Sequence, residues 1–280
     1  MRVTDAHIHI QPFHMLKPEV RDTFWQKKTN RDELEGFAAD AGKLLRHLDA
    51  DGVERVGLIN YISPDVMGFT SEVNGWMMRY ASADPSRLLA FGSVHPAFTT
   101  DAGGDTDRVI EMGARALKIH PPHQLFRANG YLDTLPGLAD IYRRAEAAGI
   151  PVTIHTGTSV FPGARSRFGD PMDVDDVAVD FPKLKILLAH GGRPLWMEQA
   201  FFLVRRFPNV FMDVSSIPPK KILEYFPRLA EIADKVLYGS DWPAPGVRSM
   251  ADNLRDFRAL GLAEDVLAKC LESNARRVFA

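Results

Sequence analysis

The stretch Val3-Thr4-Asp5-Ala6-His7-Ile8-His9 decides the fold. It reads as a β-strand, and side chains of a strand alternate faces, so His7 and His9 point the same way with imidazoles close enough to grip one ion. An open, doubly wound α/β sheet would follow its first strand with a glycine-rich phosphate loop. Here the strand runs into histidines instead. That ending suits a closed barrel, whose chemistry gathers at the C-terminal ends of its strands.

The remainder of the chain repeats the unit. Strands are expected over Val3 to Ile8, Arg55 to Asn60, Leu88 to Val94, Ala114 to Ile119, Val152 to His155, Lys185 to His190, Val210 to Val214 and Val236 to Ser240. Helical patterns lie between them, over Lys43 to Ala50, Glu72 to Ser82, Thr106 to Met112, Leu135 to Ala148, Asp173 to Asp180, Trp196 to Arg206 and Lys220 to Ala233. In the last, Ile222, Leu223, Phe226, Leu229 and Ala233 recur at three- and four-residue steps, marking one buried face. Alternating strands and helices imply parallel pairing through crossovers, and eight repeats imply a closed barrel. The fold class is therefore α/β, a single (β/α)8 TIM barrel with residues 1–280 as one domain. A barrel of this kind needs roughly 250 residues, which 280 supply. The long first connection, Gln11 to Gly42, reads as a packed surface loop; the alternative is that its Phe13, Phe24, Trp25 and Phe37 cover the barrel mouth.

Composition excludes more than it selects. A 45% apolar share, a 25% charged share and a net charge of -2 give no reason to expect nucleic acid or a membrane surface as partner. The single cysteine, Cys270, cannot form an internal disulfide, and no Asn-x-Ser/Thr sequon occurs. No apolar run approaches the ~20 residues of a membrane span, and the N-terminal stretch lacks a signal core. The expectation is a soluble, cytoplasmic protein acting on a small molecule, alone or as a homodimer.

Three more strand candidates end as the first does, in a ligand-type residue: Pro151-Val-Thr-Ile-His155, Lys185-Ile-Leu-Leu-Ala-His190 and Val236-Leu-Tyr-Gly-Ser-Asp241. Together with His7 and His9 these groups suit one divalent cation. Imidazoles with a carboxylate match zinc best, and manganese, iron or nickel accept the same set. Water on such an ion ionises near neutral pH and becomes a nucleophile, with a neighbouring carboxylate or histidine moving protons. Alone, Asp241 in Ser-Asp-Trp-Pro reads as a turn cap. Lys118 and His120 share a face at the end of the fourth strand; a second metal bridged by a modified lysine is the alternative to a lysine snorkelling out of the barrel end. His14, His47, His95 and His123 read as ordinary histidines. Nucleophile-elbow, phosphate-loop and His-Glu-x-x-His motifs are absent.

These residues resemble the amidohydrolase superfamily, and within it the amidohydrolase-related branch of metal-dependent hydrolases, lactonases and aminocarboxymuconate-semialdehyde-decarboxylase-like enzymes. Further likenesses are Lys118-Ile-His-Pro121, Ala189-His-Gly-Gly192, Tyr238-Gly-Ser-Asp-Trp-Pro243 and Asn274-Ala-Arg-Arg-Val-Phe279. The resemblance implies that His7, His9, His155 and Asp241 hold one metal, while His190 bonds the metal-bound water or substrate. His190 and Asp241 are then the catalytic pair. Hydrolysis of a small ester, lactone or amide is the first expectation, because the chain is compact beside the family's decarboxylases. Non-oxidative decarboxylation of an aromatic or muconate-type acid is the alternative, and arginines able to clamp a carboxylate would favour it, with Arg165, Arg167 and Arg193 as candidates. A barrel with a purely structural metal is the non-enzymatic reading.

Overall fold

The computed structural model describes residues 2–26 and 28–280. Its strands are β1 (Val3–Ile8), β2 (Val53–Leu58), β3 (Leu88–Gly92), β4 (Ala116–Ile119), β5 (Val152–His155), β6 (Ile186–Ala189), β7 (Val210–Asp213) and β8 (Val236–Leu237). They pair in parallel in chain order, forming one eight-stranded sheet. The sheet curls until its edges meet. Ala6 N donates to Tyr238 O at 2.9 Å, Asp241 N to His7 O at 2.8 Å and His9 N to Trp242 O at 2.7 Å. The (β/α)8 expectation is met, with β1 and β8 joined along an irregular seam.

Helices α1 (Pro18–Trp25), α2 (Arg31–Ala39) and α3 (Ala41–Asp51) fill the connection from β1 to β2. Helices α4 (Glu72–Ala81) and α5 (Ala102–Glu111) precede β3 and β4. The short α6 (Pro121–Gln124) and the longer α7 (Gly137–Ala148) separate β4 from β5. Then come α8 (Asp173–Asp180), α9 (Met197–Arg206) and α10 (Pro219–Tyr225) before β6, β7 and β8, and α11 (Met250–Arg258), α12 (Glu264–Ala268) and α13 (Asn274–Val278) after them. Every residue of β1, β3 and β4 to β8 is buried, because barrel strands face side chains inside and helices outside.

Two expectations change. The connection Gln11 to Gly42 carries helices rather than being a plain loop: Pro18 occupies the first turn of α1, and Asp40 caps α3 by accepting from Gly42 N at 2.8 Å. Its aromatics pack together, with Phe13 5.2 Å from Phe24 and 5.0 Å from Trp25 between ring centres. The helix expected over Lys220 to Ala233 instead breaks after Tyr225 and resumes as a 3-10 stretch over Leu229–Lys235. Pro227 causes the break, since it disfavours the helical conformation for the residue before it, and Phe226 is held at φ -126°, ψ 69°. The apolar face survives, with Ile222, Phe226, Leu229 and Ala233 all buried.

Candidate metal centre

Closure of the seam brings the first and last candidate ligands together. Asp241 is held beside β1 through its own backbone bond to His7 O. Its Oδ1 lies 3.4 Å from His7 Nε2 and 3.2 Å from His9 Nε2. One ligand atom from each of His7, His190 and Asp241 falls within 4.8 Å of the others. His190 stands 4.8 Å from the His7 ring and 4.7 Å from the His155 ring. Of the residues singled out by sequence, the compact trio is thus His7, His190 and Asp241; His9 adjoins it through the carboxylate and His155 through His190.

The chemistry of these atoms fits a divalent cation. His7 Nε2, Asp241 Oδ1 and both ring nitrogens of His155 are buried and make no hydrogen bond; the carboxylate is close to the His7 ring without the alignment of one. Buried polar atoms are rarely left so, and several converging on one space are what an ion would satisfy. Burial, above all, lowers the pKa of His7, His155 and His190, leaving neutral imidazoles with lone pairs to offer. Burial acts the other way on Asp241, but contact with His9, the neighbouring His7 ring and the Arg193 guanidinium outweigh it and keep the carboxylate ionised.

A second layer aims the rings. Asp213, at the end of β7, is fully buried; its Oδ2 accepts from His7 Nδ1 at 3.0 Å, which fixes the proton there and turns the Nε2 lone pair inward. Its Oδ1 accepts from His190 N at 3.2 Å, from Ser215 N at 3.0 Å and from the Ser215 hydroxyl. His190 Nδ1 in turn meets Ser215 O at 3.1 Å. Asp213 escaped notice in the sequence, although Val210-Phe-Met-Asp213 ends as the ligand-bearing strands do. His190 and Asp241 both adopt left-handed backbone, at φ 67° and 66°. Such conformations are uncommon outside glycine, and they cluster where side-chain aim outweighs backbone comfort.

A cavity of about 210 Å³ opens beside these groups. Phe24, Tyr61, Met67 and Phe161 supply its apolar wall. Lys118 is not a snorkelling side chain: it is 1% exposed and its Nζ, facing this cavity, has no hydrogen-bond partner. Burial pushes the Lys118 ammonium down to about 8, against the pull of Asp213 and Asp241. Of the three arginines, Arg165 and Arg167 are exposed, whereas Arg193 lines the cavity with its Nε buried and unpaired. Its position follows from Gly157, at φ 103°, where an added Cβ would come within 2.1 Å of Arg193 O. His123, read from sequence as ordinary, also lines the cavity, stacked 3.6 Å from His120, which stacks 3.8 Å from His155. Among the described residues no helix is long and apolar enough to cross a membrane.

A family model described as amidohydrolase matches residues 4–280. No curated protein sequence matches the chain. Solved structures share the fold across nearly their whole length. A 5-carboxyvanillate decarboxylase from Novosphingobium aromaticivorans, with bound manganese and a nitrobenzoic acid, is 16% identical with a TM-score of 0.67, covering 99% of this chain and 96% of that one. A 2,6-dihydroxybenzoate decarboxylase from Rhizobium is 17% identical with a TM-score of 0.65, covering 100% and 99%. A 4-oxalomesaconate hydratase from Rhodopseudomonas palustris is 18% identical with a TM-score of 0.66, covering 99% and 95%.

Proposed function

This chain belongs to the amidohydrolase family and is a metal-dependent enzyme, and from that premise we propose that it is a non-oxidative carboxy-lyase acting on a small aromatic or muconate-type acid. His7, His9, His155 and Asp241 are the residues we assign to one divalent ion, zinc or manganese by the chemistry of the donors. Bound there, the ion would act as a Lewis acid toward an anionic substrate oxygen. His190, whose Nδ1 faces Ser215 O, is assigned the proton transfer: its bare Nε2 takes the proton of the substrate hydroxyl or enol as that oxygen ionises, and as the carbon–carboxylate bond breaks, CO2 leaves, the electron pair stays on carbon and that proton takes its place.

One observation carries the choice of reaction. Arg193 and Lys118 both line the cavity, and although Arg193 Nη2 is bonded to Ser216 Oγ, Arg193 Nε and Lys118 Nζ have no partner, an arrangement that suits a carboxylate and that a neutral ester or lactone would leave unmatched. The apolar wall of Phe24, Tyr61, Met67 and Phe161 suits a planar ring. Hydrolysis, the first expectation from sequence, uses the same metal donors but gives these two cations no task. The decarboxylase names among the structural neighbours lean the same way, although at under 20% identity the likeness itself is one of fold. The test is a panel of phenolic acids, muconate-type acids, lactones and esters offered to zinc- and manganese-loaded protein, with CO2 release and ring opening followed separately. CO2 release from an acid is expected; turnover of lactones or esters with no CO2 from any acid would overturn the proposal.

A further inference from the structure

Beyond the metal donors, the cavity wall carries a line of hydrogen bonds whose direction can be worked out. Tyr61 is buried, and its hydroxyl meets His123 Nδ1 at 2.8 Å. His123 Nε2 meets Ser159 Oγ at 2.6 Å. Ser159 Oγ also accepts from Phe161 N at 3.3 Å. All three side chains border the cavity.

A phenol has one proton to give, and among the described residues His123 Nδ1 is the partner within reach of this one. Were His123 protonated at Nδ1, the buried Tyr61 proton would have no acceptor, which is the costlier arrangement. Tyr61 therefore donates, Nδ1 accepts, and the imidazole carries its proton on Nε2, directed at Ser159. Burial keeps this imidazole neutral, with its pKa pushed down to about 3, and burial holds the Tyr61 phenol protonated. Ser159 Oγ thereby accepts twice, from His123 and from Phe161 N, which fills both lone pairs. Among the described residues its own proton is left without a protein acceptor, and that proton is the hydrogen-bonding capacity it can offer a ligand.

We propose that Ser159 is a specificity-determining residue, its hydroxyl directed by the Tyr61–His123 line to donate into the cavity and so to select substrates bearing a hydrogen-bond acceptor, an oxygen of a carboxylate, carbonyl or nitro group, over those bearing a donor at that place. The inference rests on the cavity being the substrate site of the proposed carboxy-lyase. A donor on the ligand would face the Ser159 proton with no lone pair to receive it.

Two measurements test it. The first is the tautomer of His123 in nitrogen-15-labelled, zinc-loaded protein, read from long-range proton–nitrogen spectra: Nε2 protonated and Nδ1 bare are expected, with the pattern lost in Tyr61→Phe. The second is calorimetric binding of 3-nitrobenzoate and 3-aminobenzoate to zinc-loaded wild type and Ser159→Ala. The preference for the nitro compound should fall by about five-fold in the variant, the size of one net hydrogen bond, and comparing ratios cancels the other differences between the ligands. An unchanged ratio, or a proton on His123 Nδ1, would overturn the inference. If neither benzoate binds wild type, the aromatic-acid reading fails on its own. The His123 tautomer then decides alone, Nε2–H upholding the donor assignment and Nδ1–H ending it.

Discussion

Replacing Asp213 by asparagine should disable the centre without removing a proposed ligand. Asp213 Oδ1 serves three donors, the His190 and Ser215 amides and the Ser215 hydroxyl, so the single carbonyl oxygen of an asparagine must take that place. Its NH2 group then faces His7 Nδ1, where a proton already sits. Two donors cannot share that contact, so His7 must move its proton to Nε2, the atom assigned to the ion. Loss of such an outer carboxylate typically weakens metal binding about 10- to 100-fold, or roughly 1.4 to 2.7 kcal/mol. The reversed tautomer places Asp213→Asn at the upper end of that range. Competition for zinc against a chromophoric chelator measures the change, with thermal unfolding of the metal-free variant as a check that the barrel persists. Zinc affinity within two-fold of wild type in a folded variant would refute the account of how His7 is aimed.

Other substitutions separate the roles assigned around the ion. His155→Ala should purify with little metal by elemental analysis yet remain folded, because the barrel core does not depend on one ion. His190→Asn should keep its metal and lose about 10² to 10⁴ in turnover; loss of metal in parallel would make His190 a ligand, as its place in the compact trio allows. Arg193→Gln should lower kcat/KM for carboxylate substrates by about 10- to 100-fold, the value of a hydrogen bond to a charged group, while leaving metal content unchanged. Metal-free protein should lose stability in acid: His123 titrates ordinarily near 6.5 when unfolded but near 3 in the fold, so the unfolded chain takes up the proton first as pH falls across that window. Thermal midpoints at pH 7 and pH 5 give the sign; a rise at pH 5 would contradict it.

The barrel was legible where apolar runs are bracketed by punctuation. Val152–His155 starts after Pro151 and stops at Thr156-Gly157, and its bounds in the structure are those read from sequence. At β8 the run Val236 to Ser240 is regular only as far as Leu237, because its later residues pair with β1 across the seam, and that pairing is a property of closure rather than of the segment. The candidate donors were legible through a repeated ending, a pair of histidines at the first strand and a single ligand-type residue at each of three later ones. What sequence could not convey were contacts between connections. His123 faces the cavity because Ser63 Oγ holds its carbonyl at 2.8 Å and Gln124 Nε2 reaches Ile62 O at 2.9 Å, tying α6 to the loop after β2. The four residues of α6 carry no periodicity from which that orientation follows. Lys118 was misjudged for the same reason, since only the closed barrel shows that its Nζ is enclosed rather than led out to water.

The seam between the first and last strands sets an order on assembly. His7 and His9 are synthesised more than two hundred residues before Asp241, and their side chains meet only when β8 docks against β1. Until then the chain offers the assigned imidazoles without their carboxylate, so full affinity for an ion held by these residues should arrive only with ring closure. An ion held across that junction by the assigned residues would also have to leave, at least in part, before the junction can open. Amide hydrogen exchange at Ala6, His9 and Asp241, whose N–H groups stitch the seam, should therefore slow on loading more than exchange along the β4–β5 pairing on the far side of the barrel.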